Sequence, residues 1–205
     1  MLNQCVFPNE NAEFKKLDSK LIIISAPSGS GKTTIVDSLL KEQLSLELAI
    51  SATSRPAREG EKNGEEYYFL TMKEFERNIK ANLFLEYEEV YPGRFYGTLK
   101  SEVDIRLRQK KNIILNLDTA GGINVKKIYG GNTLLIFLMP PSIEELKRRL
   151  EKRGTDSSEV IRNRLFKATY EISLATQYDM IILNDDLGKA KREFIQIISK
   201  FITGK

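Results

Sequence analysis

The chain contains no histidine. Chemistry that needs an imidazole, either as a base poised near neutrality or as a metal ligand, is excluded by inspection. A single cysteine, Cys5, excludes an intrachain disulfide. The opening stretch MLNQCVFPNENAEFKK has neither a basic n-region nor an apolar h-region, which points to the cytoplasm. No apolar run approaches the length of a membrane span. The net charge of +4 comes without the dense basic stripe that a dedicated nucleic-acid binder carries. Neither a membrane nor a nucleic acid is therefore expected as a partner, and no internal repeat or low-complexity tract is present.

What remains is ordinary globular material, 41% hydrophobic and 29% charged over 205 residues. That length most simply gives one domain with room for a small insertion. Its informative stretch is SAPSGSGKTT, residues 25–34. The β-branched run at 21–24 suits a buried strand. Ala26, Pro27, Ser28, Gly29, Ser30 and Gly31 then form a loop whose glycines let backbone N–H groups turn inward. Lys32, Thr33 and Thr34 open a helix whose positive end adds to the attraction for an anion. In such a loop Lys32 reaches the β- and γ-phosphates of a nucleotide and the Thr33 hydroxyl ligates Mg²⁺. The strict pattern has Gly where this chain has Ala26. A Gly/Ser turn joining strand to helix is the plain alternative. Phosphoryl transfer needs no histidine, since it relies on positioning and electrostatics.

Along the chain, residues 1–19 read as a loose extension. A helix to about residue 42 carries Ile35, Val36, Leu39 and Leu40 at core-facing spacing. The polar stretch SATSRPAREGEKNGEEYYFL, 51–70, is too long for a plain connection and reads as a substrate-binding insertion. Residues 73–80 read as helix, 83–90 as a strand or hairpin arm, and PGRFYGT, 92–98, as a turn with two aromatics. A charged helix over 100–111 precedes a buried strand over 113–118, in which Asn116 and Asp118 share one face. A helix near 123–129, a strand over 133–139, and a helix capped by Ser142 follow. Residues 146–168 form two helical halves hinged at Gly154, open to a plain reading as an exposed amphipathic helix. A strand over 180–183 and a helix to about 202 complete an α/β pattern of parallel strands covered on both faces.

Taken in order, SAPSGSGKTT, ISATSRPAREGE with NG and YYF, FLEYEEV, YGT, the LD and GG stretch, PPS with EEL, RRL and RGTDS, and NDD resemble the guanylate kinase family from about residue 21 onward. The resemblance implies a three-layer P-loop kinase core with a parallel sheet (20–50, 99–145 and 166–205), a GMP-binding insertion (51–98) and a short helical lid (146–165). It implies ATP and Mg²⁺ as cofactors, GMP as acceptor, and a monomer or weak homodimer. Arg55, Arg58, Tyr67 and Tyr96 would hold the GMP phosphate, since Arg offers a planar fork to its oxygens. Glu86 and Asp118 would accept the guanine ring N–H and amine, while Ser51 and Thr98 would donate to its carbonyl. Arg149, Arg153 and Arg164 match lid arginines that close over the triphosphate, and Asn184 matches a position at the adenine pocket. Asp185 and Asp186 read as helix caps. The family's usual acid two residues before Asp118 is Asn116 here, and Phe95 stands where Tyr is frequent. A non-catalytic module of this family, or a P-loop kinase acting on another phosphorylated acceptor, are the alternatives.

Overall fold

The computed structural model describes residues 19–154 and 156–204, and of Tyr91 and Arg153 the backbone only. The extension expected over 1–19 lies outside these, apart from Ser19, which is buried and donates to the Leu107 carbonyl at 2.8 Å.

Five parallel strands form the main sheet in the order β2-β7-β1-β8-β9: β1 (Leu21–Ser25), β2 (Leu46–Leu48), β7 (Asn112–Asn116), β8 (Thr133–Met139) and β9 (Met180–Leu183). Strand alternation sends successive side chains to opposite faces. Leu21, Ile23, Ile113, Leu115, Leu135 and Phe137 therefore pack on one side, with Val103, Leu107, Val125 and Tyr129 from α3 (Lys100–Arg108) and α4 (Thr119–Tyr129). Ile22, Ile24, Ile114, Ile136 and Leu138 pack on the other, with Ile35 and Leu39 of α1 (Lys32–Leu39) and Phe194 and Ile198 of α7 (Leu187–Thr203). The result is the expected helix–sheet–helix sandwich.

A second sheet, ordered β4-β3-β6-β5, is formed by β3 (Ala52–Thr53), β4 (Tyr68–Phe69), β5 (Phe84–Tyr91) and β6 (Arg94–Leu99). Its small core is Ala52, Phe75 and Phe84, with Phe75 from α2 (Met72–Lys80) stacked on Phe84 at 4.3 Å between ring centroids. Residues 92–98 are thus not a turn throughout. Only Pro92 and Gly93 turn, and the rest is strand, because pairing with β5 supplies a ladder that local composition does not announce. The two remaining helices, α5 (Ile143–Arg153) and α6 (Ser158–Ser173), meet through Leu146, Leu150, Ile161 and Ala168. Ser142 and Ser157 cap them, and Gly154 ends α5 in the left-handed conformation, so the break between the two helical halves falls at that glycine. Asp186 caps α7 by accepting from the Lys189 N–H. No helix among the described residues is long and apolar enough to cross a membrane.

Candidate active site

Strand β1 ends at Ser25, and the loop over 26–31 carries the chain into α1, whose N-terminal cap is Gly31. No side chain caps that helix end and no acidic residue sits in its first turn, so its N–H groups are left for an anion. The loop is braced from far along the chain. Asn184 Nδ2 donates to the Ser30 carbonyl at 2.7 Å, and the Ser30 N–H donates to the Pro27 carbonyl at 3.1 Å. Gly31 has φ 91°, and a Cβ there would lie 2.9 Å from Asn184 Nδ2, so both conformation and space require glycine. Asn184, expected at an adenine pocket, is instead 4% exposed behind the loop, and its amide is committed to loop backbone.

In front of the loop is a cleft of about 1020 Å³, larger than a typical single-ligand pocket. Ala26, Pro27, Ser28, Gly29, Gly31, Lys32, Thr33 and Thr34 line one end. Lys32 Nζ donates to the Leu117 carbonyl at 3.0 Å. Burial lowers the Lys32 pKa, while the charges of Glu171, Asp118 and Glu86 act to raise it.

At the other end, Ser51, Tyr67, Glu86, Tyr96 and Asp118 line the wall. Glu86 on β5 and Asp118 at the cap of α4 converge over Gly121, where a Cβ would lie 3.2 Å from Glu86 Oε2 and 3.3 Å from Asp118 Oδ2. Asp118 Oδ1 accepts the Gly121 N–H at 2.7 Å, so the helix cap also orients the carboxylate. Strand β7 stops at Asn116, and Asp118 reaches the cleft as a cap instead of along a shared strand face. Burial, with Asp118 adding to it, pushes Glu86 up to about 7. Thr98, expected to face a guanine carbonyl, is buried and donates to Glu86 Oε1 at 2.7 Å. Arg55 is likewise committed. It is 7% exposed, forks onto both oxygens of Glu61 at 2.6 and 2.7 Å, and lies over the Tyr67 ring at 5.0 Å. The pairing raises the Arg55 pKa and holds Glu61 at about 2. Arg58 is exposed, and its backbone N–H also donates to Glu61.

The third wall is helical. Arg149 Nε donates to Glu145 at 2.8 Å and its Nη2 to the Asn184 carbonyl at 3.1 Å. Arg164 Nη1 donates to Ser28 Oγ at 2.6 Å and its Nη2 pairs with Asp156 at 3.2 Å. Both arginines face the cleft beside the loop, while the side chain of Arg153 lies outside the described atoms.

A family model described as guanylate kinase matches residues 18–201. The chain belongs to the guanylate kinase family. It is 53% identical over 194 residues to a guanylate kinase of Bacteroides thetaiotaomicron, covering 95% of each chain. A guanylate kinase of Porphyromonas gingivalis is 52% identical over 185 residues, covering 90% of this chain and 98% of its own. Among solved structures, a guanylate kinase from Anaplasma phagocytophilum superposes with a TM-score of 0.70 at 29% identity, covering 88% of this chain and 84% of the other. The SH3-kinase fragment of tight junction protein 3 shares the fold alone, with a TM-score of 0.51 at 12% identity over 92% of this chain and 59% of the other.

This guanylate kinase family member also places in the cleft three charged groups that sequence reasoning passed over. Lys167 and Glu171 lie one helical turn apart on α6, and Glu88 lies on β5 beyond Glu86. The signal for the two on α6 was the cleft-facing row 160, 164, 167 and 171, whose spacing equally suits a solvated face. Burial pushes Glu171 up to about 7 against the pull of Lys167 and Lys32. For a metal, Thr33 and Asn116 offer oxygen donors at the cleft, and no cluster of three acidic or thiol groups that could cage an ion forms among the described residues. That set fits a Mg²⁺ that keeps its own waters and phosphate oxygens.

Proposed function

We propose that this protein transfers the γ-phosphoryl group of ATP to GMP, giving ADP and GDP. The observation that carries this reading is the pair of carboxylates, Glu86 and Asp118, facing an anion-binding loop across one cleft. A base that offers a ring N–H and an exocyclic amine on one edge satisfies both acceptors; adenine does not, and would leave a buried carboxylate unpaired. Ser51 supplies the hydroxyl for the guanine carbonyl, and Thr98 fixes the Glu86 carboxylate. Tyr67 and Tyr96 face the GMP phosphate, and Arg55 and Arg58 join them once that phosphate replaces Glu61 as their partner.

Loop N–H groups over 26–34 and Lys32 hold the ATP phosphates, and Asn184 acts on them by holding the loop. Arg149, Arg153 and Arg164 spread positive charge over the transferring group as its bond to ADP breaks and a bond to a GMP phosphate oxygen forms. Thr33 and Asn116 would hold Mg²⁺, which when bound would neutralise charge on the ATP phosphates. The lid closes over both substrates and keeps water from taking the phosphoryl group. ATP and GMP are substrates of the cytoplasm, where we place the protein.

A coupled assay of ADP formation with GMP, AMP, CMP and UMP tests this, GMP being the one effective acceptor. Lys32→Ala abolishes transfer while calorimetry still finds GMP bound, because the acceptor wall is separate. GMP binding by the unaltered chain without ADP formation would overturn the catalytic reading in favour of a binding module.

A further inference from the structure

Lys167 has no part in the scheme above, yet it lines the cleft and reaches from its helical wall to its acceptor wall. On α6, Val160, Arg164, Lys167 and Glu171 follow at helical spacing and all face the cleft. Arg164 fixes one end of this row to the phosphate loop through Ser28. One turn on, Lys167 crosses to the acceptor wall and forms an ion pair with Glu88 of β5, which itself neighbours Asp118. A further turn on, Glu171, 7% exposed, is the carboxylate with the largest influence on Lys32. Lys167 is thus within the field of the donor-side Lys32 and of the acceptor-side Asp118 at once.

The ion pair is a poor candidate for a stability device. Its side chains are 44% and 32% exposed, and ion pairs so open to water contribute little to stability. It also spans a cleft that must admit substrates. A phosphate carrying nearly two charges is a stronger acceptor for the ammonium than one carboxylate, and Glu88 is exposed enough to turn to water when released.

We propose that Lys167 is a further catalytic residue of this chain, held across the cleft by Glu88 and passed to the phosphate oxygens between donor and acceptor when both substrates are bound. The inference rests on the ATP and GMP reading of the cleft. Lys167 moves no proton. The electron pair of the breaking bond stays on the ADP oxygen, the new bond forms from a GMP phosphate oxygen, and the ammonium offsets negative charge on the group in transit.

Steady-state kinetics of the full chain with Lys167→Met, Lys167→Arg and Glu88→Gln test this, with thermal unfolding followed for each. Lys167→Met lowers kcat at least about tenfold and changes either KM less than about threefold, as expected for a contact made chiefly in the transition state. Lys167→Arg retains most of kcat, and Glu88→Gln holds or raises it. A bisubstrate analogue, adenosine and guanosine joined by a pentaphosphate, binds Lys167→Met at least about tenfold more weakly while GMP alone binds as before. Absence of GDP from the unaltered chain overturns the reading of the cleft and this inference with it. GDP from the unaltered chain, with Lys167→Met within about threefold in kcat or with Glu88→Gln as impaired as Lys167→Met, overturns this inference alone.

Discussion

Burial and the neighbouring Asp118 both oppose the charge of Glu86 and push its carboxyl up to about 7. Its pKa is raised in the fold, so its contribution to folding stability is present below the ordinary value of 4.5 and is lost as pH rises through about 7. Binding runs the other way. Guanine donors need the carboxylate, so GMP affinity rises as pH rises toward 7 and then levels. The GMP phosphate ionises near pH 6 with the same sign, and Glu86→Gln separates the two by removing only the Glu86 step from KM measured between about pH 6 and 8. At a fixed pH of about 8 the same substitution weakens GMP by about 1–3 kcal/mol, since an amide is a partly mismatched partner. An unchanged KM profile in Glu86→Gln would remove this carboxylate from the base site. Gly121→Ala probes the same pair from beneath. Alanine favours the helix by about 1 kcal/mol, so the melting temperature holds or rises. Its Cβ, 3.2 and 3.3 Å from the two carboxylates, pushes them apart, and KM for GMP rises about three- to tenfold. Unaltered kinetics would show that their spacing is not what reads the base.

At the scale of elements, α3 carries a joint between the two sheets. Glu102, buried on its first turn, accepts from the Ile50 N–H at 2.8 Å and the Tyr68 hydroxyl at 3.0 Å and pairs with Arg106 at 2.5 Å. Ile50 lies where the chain leaves the parallel sheet for β3, and α3 begins where β6 returns it. One carboxylate therefore pins both crossings. Glu102→Ala leaves a buried N–H and a guanidinium short of a partner and lowers stability by about 2–4 kcal/mol in urea unfolding, whereas Glu102→Gln keeps the bond to Ile50. Equal losses in the two variants would mean that charge, and not the backbone bond, holds the joint. Nothing in the spacing of Glu102 announces this role, and the same limit governed the other elements. Strands β1, β7 and β8 were legible as apolar runs because both their faces are buried, and β9 was legible as a short apolar run although, at the sheet edge, only Ile182 of it is buried. Short β2 and β3 escaped notice because pairing, not local composition, makes them strands. Helix α4 starts at Thr119, earlier than residue 123, since packing and the Asp118 cap override the poor helix propensity of Gly121 and Gly122.

Across the whole molecule, the site was legible where ordered motifs carry its residues and hidden where a contact joins residues that belong to no motif. The loop over 25–34 and the convergence of Glu86 with Asp118 follow from ordered motifs. The pairs Lys167 with Glu88 and Glu171 with Lys32 join residues far apart in the chain, and no local spacing encodes them. The brace from Asn184 to Ser30 is of this kind, and it spans 154 positions. Its consequence concerns the order in which the protein is made. The nucleotide loop is made well before Asn184, yet its shape waits for that residue, and central β1 waits for β7 and β8 to flank it. The nascent chain therefore does not trap cellular ATP through this loop before Asn184 has been made. A chain stopped after residue 177 has every loop residue and does not retain a fluorescent ATP analogue. In the complete chain, Asn184→Ala weakens that analogue about tenfold, as for loss of a buried brace, without unfolding the protein. Analogue binding by Asn184→Ala equal to that of the intact protein would show that the early loop finishes itself.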